Sequence, residues 1–211
     1  MYFRDRRDAG QVLANALAKY KDRSDVLVLG LPRGGVPVAY EVARGLNAPL
    51  DVFLVRKLGV PGQEELGMGA IATGGVRILH EGIIRELGIP SNTVETVTIN
   101  EQKELERRET LYRGDYPAPL IQGRIVIVVD DGLATGSTMK AAVAALRQQG
   151  PVRLIVAVPT APAETVLELR DMADEVVCPL TPDPFYAVGG SYANFNQTTD
   201  EEVRELIRRA A

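Results

Sequence analysis

The chain is poor in metal-binding side chains, with one cysteine and one histidine. Cys178 alone cannot close an intrachain disulfide, and together with His80 it falls short of a Cys/His zinc site, so any metal must be held by oxygen. Both residues read as ordinary structural positions. No apolar run approaches the roughly 18 residues of a membrane span, and Met1 to Asp8 lacks the apolar stretch of a signal peptide. The expected compartment is the cytoplasm. Positive charge is not in excess either: 24 Lys and Arg stand against 28 Asp and Glu, a net charge of −4. That balance excludes general nucleic-acid binding but permits a local cationic pocket for a phosphorylated small molecule. A Gly-x-x-x-x-Gly-Lys-Ser/Thr string is missing, which disfavours a P-loop nucleotidase. What remains is a globular composition, 45% hydrophobic and 25% charged over 211 residues, enough for one domain with a substantial core.

Ala9, Val12, Leu13, Ala16 and Leu17 recur at helical spacing and predict an amphipathic helix between Asp5 and Tyr20. Val26 to Leu31 is apolar without alternation, the pattern of a parallel strand covered on both faces. A helix from Pro37 to Leu46 and a buried strand from Asp51 to Val55 complete a βαβ unit. Arg56 to Gly69, with four glycines and a proline, reads as a mobile loop. Gly74-Gly75 between Ala70–Thr73 and Val76–Leu79 signals a hairpin. Thr93 to Arg113 is a helix whose charged run from Glu101 to Glu109 reads as a solvated face. After the break at Tyr116-Pro-Ala-Pro119 come strand 124–130, helix 137–149 with Gly150 past its end, strand 152–158, helix 162–172 and strand 175–178. A Thr199-x-x-Glu202 capping box opens the last helix. Strands alternating with helices predict an open, mostly parallel α/β sheet, whose ligands bind beyond the carboxyl ends of the strands.

Chemistry concentrates in the loops at those ends. Ile125 to Val129 runs into Asp130 and Asp131, and then Gly132, Ala134 and Gly136, with Thr135, Ser137 and Thr138, lead into a helix. Small residues let backbone N–H groups converge, the helix adds its positive end, and the hydroxyls donate further, which suits a phosphate monoester. The carboxylates upstream would accept hydrogen bonds from sugar hydroxyls about one ribose away. Gly67-Met-Gly-Ala-Ile-Ala72 matches a dinucleotide glycine pattern, but it follows a loop and opens onto β-type sequence, so it reads as chance.

The string from Ile125 to Thr138 resembles the signature of the type I phosphoribosyltransferases, and the resemblance extends over residues 26 to 196. It implies 5-phosphoribosyl 1-diphosphate (PRPP) as the donor, its 5-phosphate on Ala134, Thr135, Gly136, Ser137 and Thr138 and its ribose hydroxyls on Asp130 and Asp131. Leu31-Pro-Arg-Gly-Gly-Val36 is similar to the loop that grips the diphosphate, often with a strained peptide bond, which puts Arg33, Gly34 and Gly35 in that role. Arg56 and Lys57 resemble the family's basic pair on the same group. The resemblance assigns the catalytic work to Asp130, Asp131, Arg56 and Lys57. It makes Gly59 to Gly69 the flexible loop that closes over substrates and excludes water. Gln63, Glu64 and Glu65 lie within that loop and read as solvated.

Four of the eleven aromatic residues (7 Tyr, 4 Phe) fall between Phe185 and Phe195. They serve either to pack a small subdomain or to stack a planar ring. Thr181 to Gly189, with Tyr192 and Phe195-Asn196, is similar to the hood of hypoxanthine-type enzymes, in which Phe185 would stack on the acceptor. Ala134 and Asn194 stand where those enzymes carry acidic residues, so adenine, xanthine, pyrimidine and non-nucleobase acceptors stay open. The resemblance thus implies one domain, its core at about residues 24 to 180 and its hood at 181 to 211 with a contribution from 1 to 20. It further implies Mg²⁺ carried chiefly by substrate and water, with Asp130 and Asp131 as indirect contacts. A small planar acceptor is the expected partner, and a homodimer is compatible. The competing reading is a regulatory protein that senses PRPP or a nucleotide on the same fold without catalysis.

Overall fold

The computed structural model describes residues 2–114 and 116–210, the side chain of residue 65 excepted. Helix α1 (Arg6–Ala16) starts where the Asp5 side chain accepts the Asp8 N–H at 2.9 Å, an N-cap that satisfies an orphan donor. Next come β1 (Val26–Gly30), α2 (Gly35–Leu46), β2 (Leu50–Val52), β3 (Val55–Val60), β4 (Gln63–Ala72), β5 (Val76–Leu79), a short α3 (Glu81–Glu86) and the long α4 (Ser91–Arg113). The remainder is β6 (Ile125–Val129), α5 (Ser137–Gln148), β7 (Arg153–Ala157), α6 (Ala163–Arg170), β8 (Glu175–Val177) and α7 (Asp200–Ala210). Thr199 Oγ1 accepts the Glu202 N–H at 3.1 Å, one half of the expected capping box on α7.

Five strands form a parallel sheet in the order β2-β1-β6-β7-β8, as the apolar runs predict. Every residue of β1 and β6 is buried, because helices cover both faces. Leu27 and Leu29 pack with Met139, Val143, Val166 and Leu169 on one side. Val26 and Val28 pack with Leu13, Leu17, Val38 and Val42 on the other. Alternate side chains thus serve opposite layers, and both parities are apolar. Among the described residues no helix is long and apolar enough to cross a membrane.

The central β1 and β6 are hydrogen-bonded neighbours whose chains depart in opposite directions. From β1 the chain crosses through α2 to β2, and from β6 through α5 to β7. Their junction is the topological switch point, where the two outgoing loops diverge and leave a crevice.

Two local expectations are corrected. The strand expected from Asp51 to Val55 ends at Val52, and a second sheet starts at Val55. As an edge strand β2 pairs only with β1, and Leu54 N–H turns away to Thr73 Oγ1 at 3.0 Å. The mobile loop expected from Arg56 to Gly69 is an antiparallel hairpin, β3-β4, extended by β5 through the expected Gly74-Gly75 turn. Its glycines argue against a strand, and they do sit in an irregular ladder with register shifts around Gly59. Leu58, Val60 and Met68 nevertheless reach a third apolar cluster with Val94 and Leu105 of α4 and Val203 of α7. Buried apolar contacts override composition here. Because Gly67-Met-Gly-Ala-Ile-Ala72 lies on β4, it is no dinucleotide loop.

Candidate active site

The crevice brings together two of the three loops singled out above. Leu31 N–H donates to Val129 O at 2.9 Å, so the segment after β1 runs beside the end of β6. The Pro32–Arg33 peptide there is cis. A Cβ on Gly35 would stand 2.7 Å from Val129 O and 2.9 Å from Asp130 Cα, both backbone atoms. Only glycine allows that approach. Gly35→Ala is therefore expected to cost about 1–3 kcal/mol as local overpacking, read as a lowered thermal midpoint; an unchanged midpoint would mean that the two loops part freely. Gly34 lies against the Asp131 carboxylate, while the Arg33 side chain is exposed.

Asp130 and Asp131 behave differently although adjacent. Asp130 Oδ1 accepts the Asp131 N–H at 2.9 Å. Burial first, and then the neighbouring Asp131 charge, push its pKa well above the usual carboxylate range. Burial also raises Asp131, but Arg6 opposes that shift. Arg6 Nε and its terminal nitrogen both reach Asp131 Oδ2, at 2.8 and 2.7 Å. Tyr192 hydroxyl donates to the Asp131 backbone carbonyl at 2.5 Å.

Beyond the carboxylates the chain forms a cradle. Leu133 N–H donates to Thr160 O and Thr165 Oγ1 to Ala134 O, at 3.0 and 2.8 Å, which anchors the loop at two points. Gly136 turns with φ of +68° into the 12-residue α5, a conformation costly for residues with a Cβ. Ala134, Thr135, Ser137 and Thr138 are exposed at its mouth, and Gly136 is buried. The first N–H groups of α5 have no intrahelical partners and carry its positive end. The cradle can therefore hold an anion.

Arg56 and Lys57 lie within β3 rather than in a loop after β2. Arg56 is paired with Glu101 of α4 at 2.6 Å, whereas Lys57 is exposed. Both line a cleft of about 540 Å³ together with Glu64, Asn100, Glu101 and Thr138. The basic pair thus shares this cleft with the cradle's last residue, Thr138. Glu64 Oε1 accepts the Gly62 N–H at 3.2 Å, tightening the hairpin turn; Gln63 is exposed on β4, and the Glu65 side chain lies outside the described residues. Half-buried Phe185 lines a separate pocket of about 370 Å³ with Tyr2, Pro182, Tyr186 and Ser191. The aromatic ring that covers the Arg6–Asp131 pair is instead Phe195, with the Arg6 guanidinium 4.0 Å from its centroid. Ala134 is at the cradle mouth and Asn194 is exposed. His80 is exposed, and burial pushes the Cys178 thiol up to about 11.

Arg6 and Glu101 are the participants that sequence reasoning missed. Arg6 meets its partner across 125 positions, and no local pattern announces such a contact. Glu101 belonged to the charged run read as a solvated face. That reading holds for Glu104, Arg107 and Arg108, which pair along the helix, but not for Glu101.

Fold and crevice together define an α/β domain that sets an anion-compatible cradle beside two carboxylates at the sheet's switch point. The family described as "Phosphoribosyl transferase domain" matches residues 6–193, and the chain belongs to it. A relative from Mycobacterium tuberculosis strain H37Rv, provisionally named a phosphoribosyl transferase, is 48% identical over 208 residues, or 99% of this chain. The chain spans about half the length of that relative, 47%. The crystal structure of TT1426 from Thermus thermophilus superposes with a TM-score of 0.89 at 44% identity, covering 100% of both chains.

Proposed function

We propose that the domain transfers the 5-phosphoribosyl group from PRPP to a nitrogen of a small planar acceptor and releases diphosphate. The observation that carries this reading is convergence at the switch point. The cradle, the carboxylate pair and the Arg33–Gly35 loop meet there, and Arg56 and Lys57 share a cleft with Thr138. In this reading the 5-phosphate lies on Ala134 to Thr138. The ribose hydroxyls donate to Asp130 and Asp131, and the diphosphate meets Arg33, the Gly34 and Gly35 N–H groups, Arg56 and Lys57. The anomeric C–O bond to diphosphate breaks, a C–N bond forms, and the acceptor nitrogen's proton passes to the departing diphosphate or to water. Cations at the diphosphate stabilise the charge that develops on the leaving oxygens, and the two carboxylates face the sugar as it turns cationic.

Among the described residues no three His, Cys, Asp or Glu side chains gather as a metal cage. The hard oxygens of Asp130 and Asp131 fit Mg²⁺ that arrives on the substrate and touches the protein through water. Mg²⁺ would balance charge on the diphosphate. The proposed hood is joined where Phe3 N–H donates to Ser191 O at 2.9 Å, whereas two parts expected within it pack elsewhere: Leu13 and Leu17 cover the sheet, and Val203 of α7 packs with α4 and the hairpin. Phe185, expected to stack on the acceptor, stands in a pocket of its own rather than over the carboxylates and has no role in the proposed transfer; the cytoplasm is the proposed compartment.

The test is diphosphate release from PRPP and Mg²⁺ with a panel of adenine, xanthine, pyrimidines and simple amines. Release with at least one acceptor is expected. Release with none, alongside tight PRPP binding that Asp131→Asn weakens, would replace the transferase with a PRPP sensor.

A further inference from the structure

Resting on that reading, we infer that Arg6 is a positioning residue for Asp131, reaching the ribose site from a helix outside the sheet. Its fork closes on one carboxylate oxygen. Nε donates to Oδ2 at 2.8 Å, and a terminal nitrogen lies 2.7 Å from the same oxygen. The fork does not engage Oδ1, so Arg6 fixes the carboxylate without occupying both of its oxygens. The other terminal nitrogen donates to Asn196 O at 2.6 Å.

The guanidinium is also fixed through its face. It lies 4.0 Å from the Phe195 centroid. Phe195 stacks on Tyr192 with centroids 4.9 Å apart, and Tyr192 hydroxyl returns to the Asp131 backbone. These contacts form a closed ring: Arg6, Phe195, Tyr192, Asp131. The side chains of Arg6 and Asp131 are only 13% and 14% exposed, so the pair is desolvated and its geometry is held rather than averaged. Arg6 is the first residue of α1, directly after the Asp5 cap, where the helix dipole disfavours a cation. A residue placed against local preference marks a constraint imposed by another part of the structure.

Arg6 touches no substrate in this scheme; it acts through Asp131. A double-mutant cycle on binding of PRPP with Mg²⁺, followed calorimetrically, separates that role from a merely structural one. Arg6→Met is expected to weaken binding at least about tenfold, the scale of a lost charge-assisted hydrogen bond. In an Asp131→Asn background the same change is expected to move affinity by less than about threefold. Arg6→Lys, a cation without the fork, is expected to recover part of the loss. Additive effects, wild-type affinity in Arg6→Met, or tighter binding would each overturn the inference. If Arg6→Met fails to fold, Arg6→Lys closes the cycle. Wild-type protein that binds no PRPP brings down the transferase and sensor readings and this one with them. Wild-type binding without an Arg6 effect removes only the positioning role.

Discussion

Asp130→Asn is expected to abolish PRPP-dependent diphosphate release and, in the same protein, to raise the thermal midpoint. The two effects share one cause. Asparagine keeps the shape and the oxygen that accepts the Asp131 N–H, but it removes an ionisable carboxyl placed next to a like one. In the proposed reaction that group accepts a ribose hydroxyl and faces the developing cation. Its loss is expected to lower turnover at least about a hundredfold, as for a charge-assisted contact made in the transition state.

The stability sign follows from linkage. Burial and Asp131 raise the pKa of Asp130 in the folded state, so the unfolded chain releases that proton more readily. The carboxyl therefore destabilises the fold at neutral pH. The penalty is absent below the unfolded pKa, grows as pH rises from the unfolded to the folded pKa, and is constant above it. Wild-type stability should therefore fall as pH rises through that window, and the fall should be missing in Asp130→Asn. A midpoint rise of about 2–4 °C per kcal/mol is the scale for a domain of this size. Asp131→Asn is expected to move the midpoint down, because it leaves the Arg6 guanidinium buried without its carboxylate. Melting curves from pH 4 to 8 on both variants decide the matter. A midpoint that falls in Asp130→Asn would mean that the carboxyl is paired in a way the structure does not contain.

Much of this arrangement is legible in the sequence because it is written in short-range patterns. The parallel sheet follows from apolar runs that do not alternate, since β1 and β6 are covered on both faces. The cradle follows from small residues between a strand and a helix, and Gly136 does take a positive φ there. The hairpin was hidden because the partners of Leu58, Val60 and Met68 lie on α4 and α7, far along the chain, while the local signal is glycine and proline. The same limit conceals the roles of Arg6 and Glu101. A charged residue looks the same in sequence whether its partner is solvent or a carboxylate 125 positions away. Long-range ion pairs leave no periodicity for local reading to find.

Arg113 at the end of α4 extends that lesson to stability, and Arg113→Met is expected to cost about 3–5 kcal/mol, or roughly 10 °C in the thermal midpoint. Its Nε lies 2.9 and 3.0 Å from the two oxygens of Asp51 on β2, and a terminal nitrogen donates to Val52 O at 2.9 Å. The other terminal nitrogen is 3.4 Å from Glu109 Oε1, a buried oxygen with no hydrogen-bond partner. With 4% of its side chain exposed, Arg113 is the cation that makes two neighbouring carboxylates tolerable. Burial already raises Asp51 against the pull of Arg113, and removing the guanidinium takes away the opposing effect. The cost is that of stranding the anions rather than the worth of the pair. Arg113→Met combined with Asp51→Leu should therefore recover most of the loss, since an apolar replacement of both partners leaves only Glu109 to be solvated. α4 also backs the hairpin that carries Arg56 and Lys57, so the single variant should loosen that hairpin and weaken PRPP binding at temperatures where the sheet is still folded. Hydrogen exchange on β3 and β4 reads this directly. Protection that stays at the wild-type level in Arg113→Met would separate the Asp51 contact from the hairpin and confine its effect to the sheet edge.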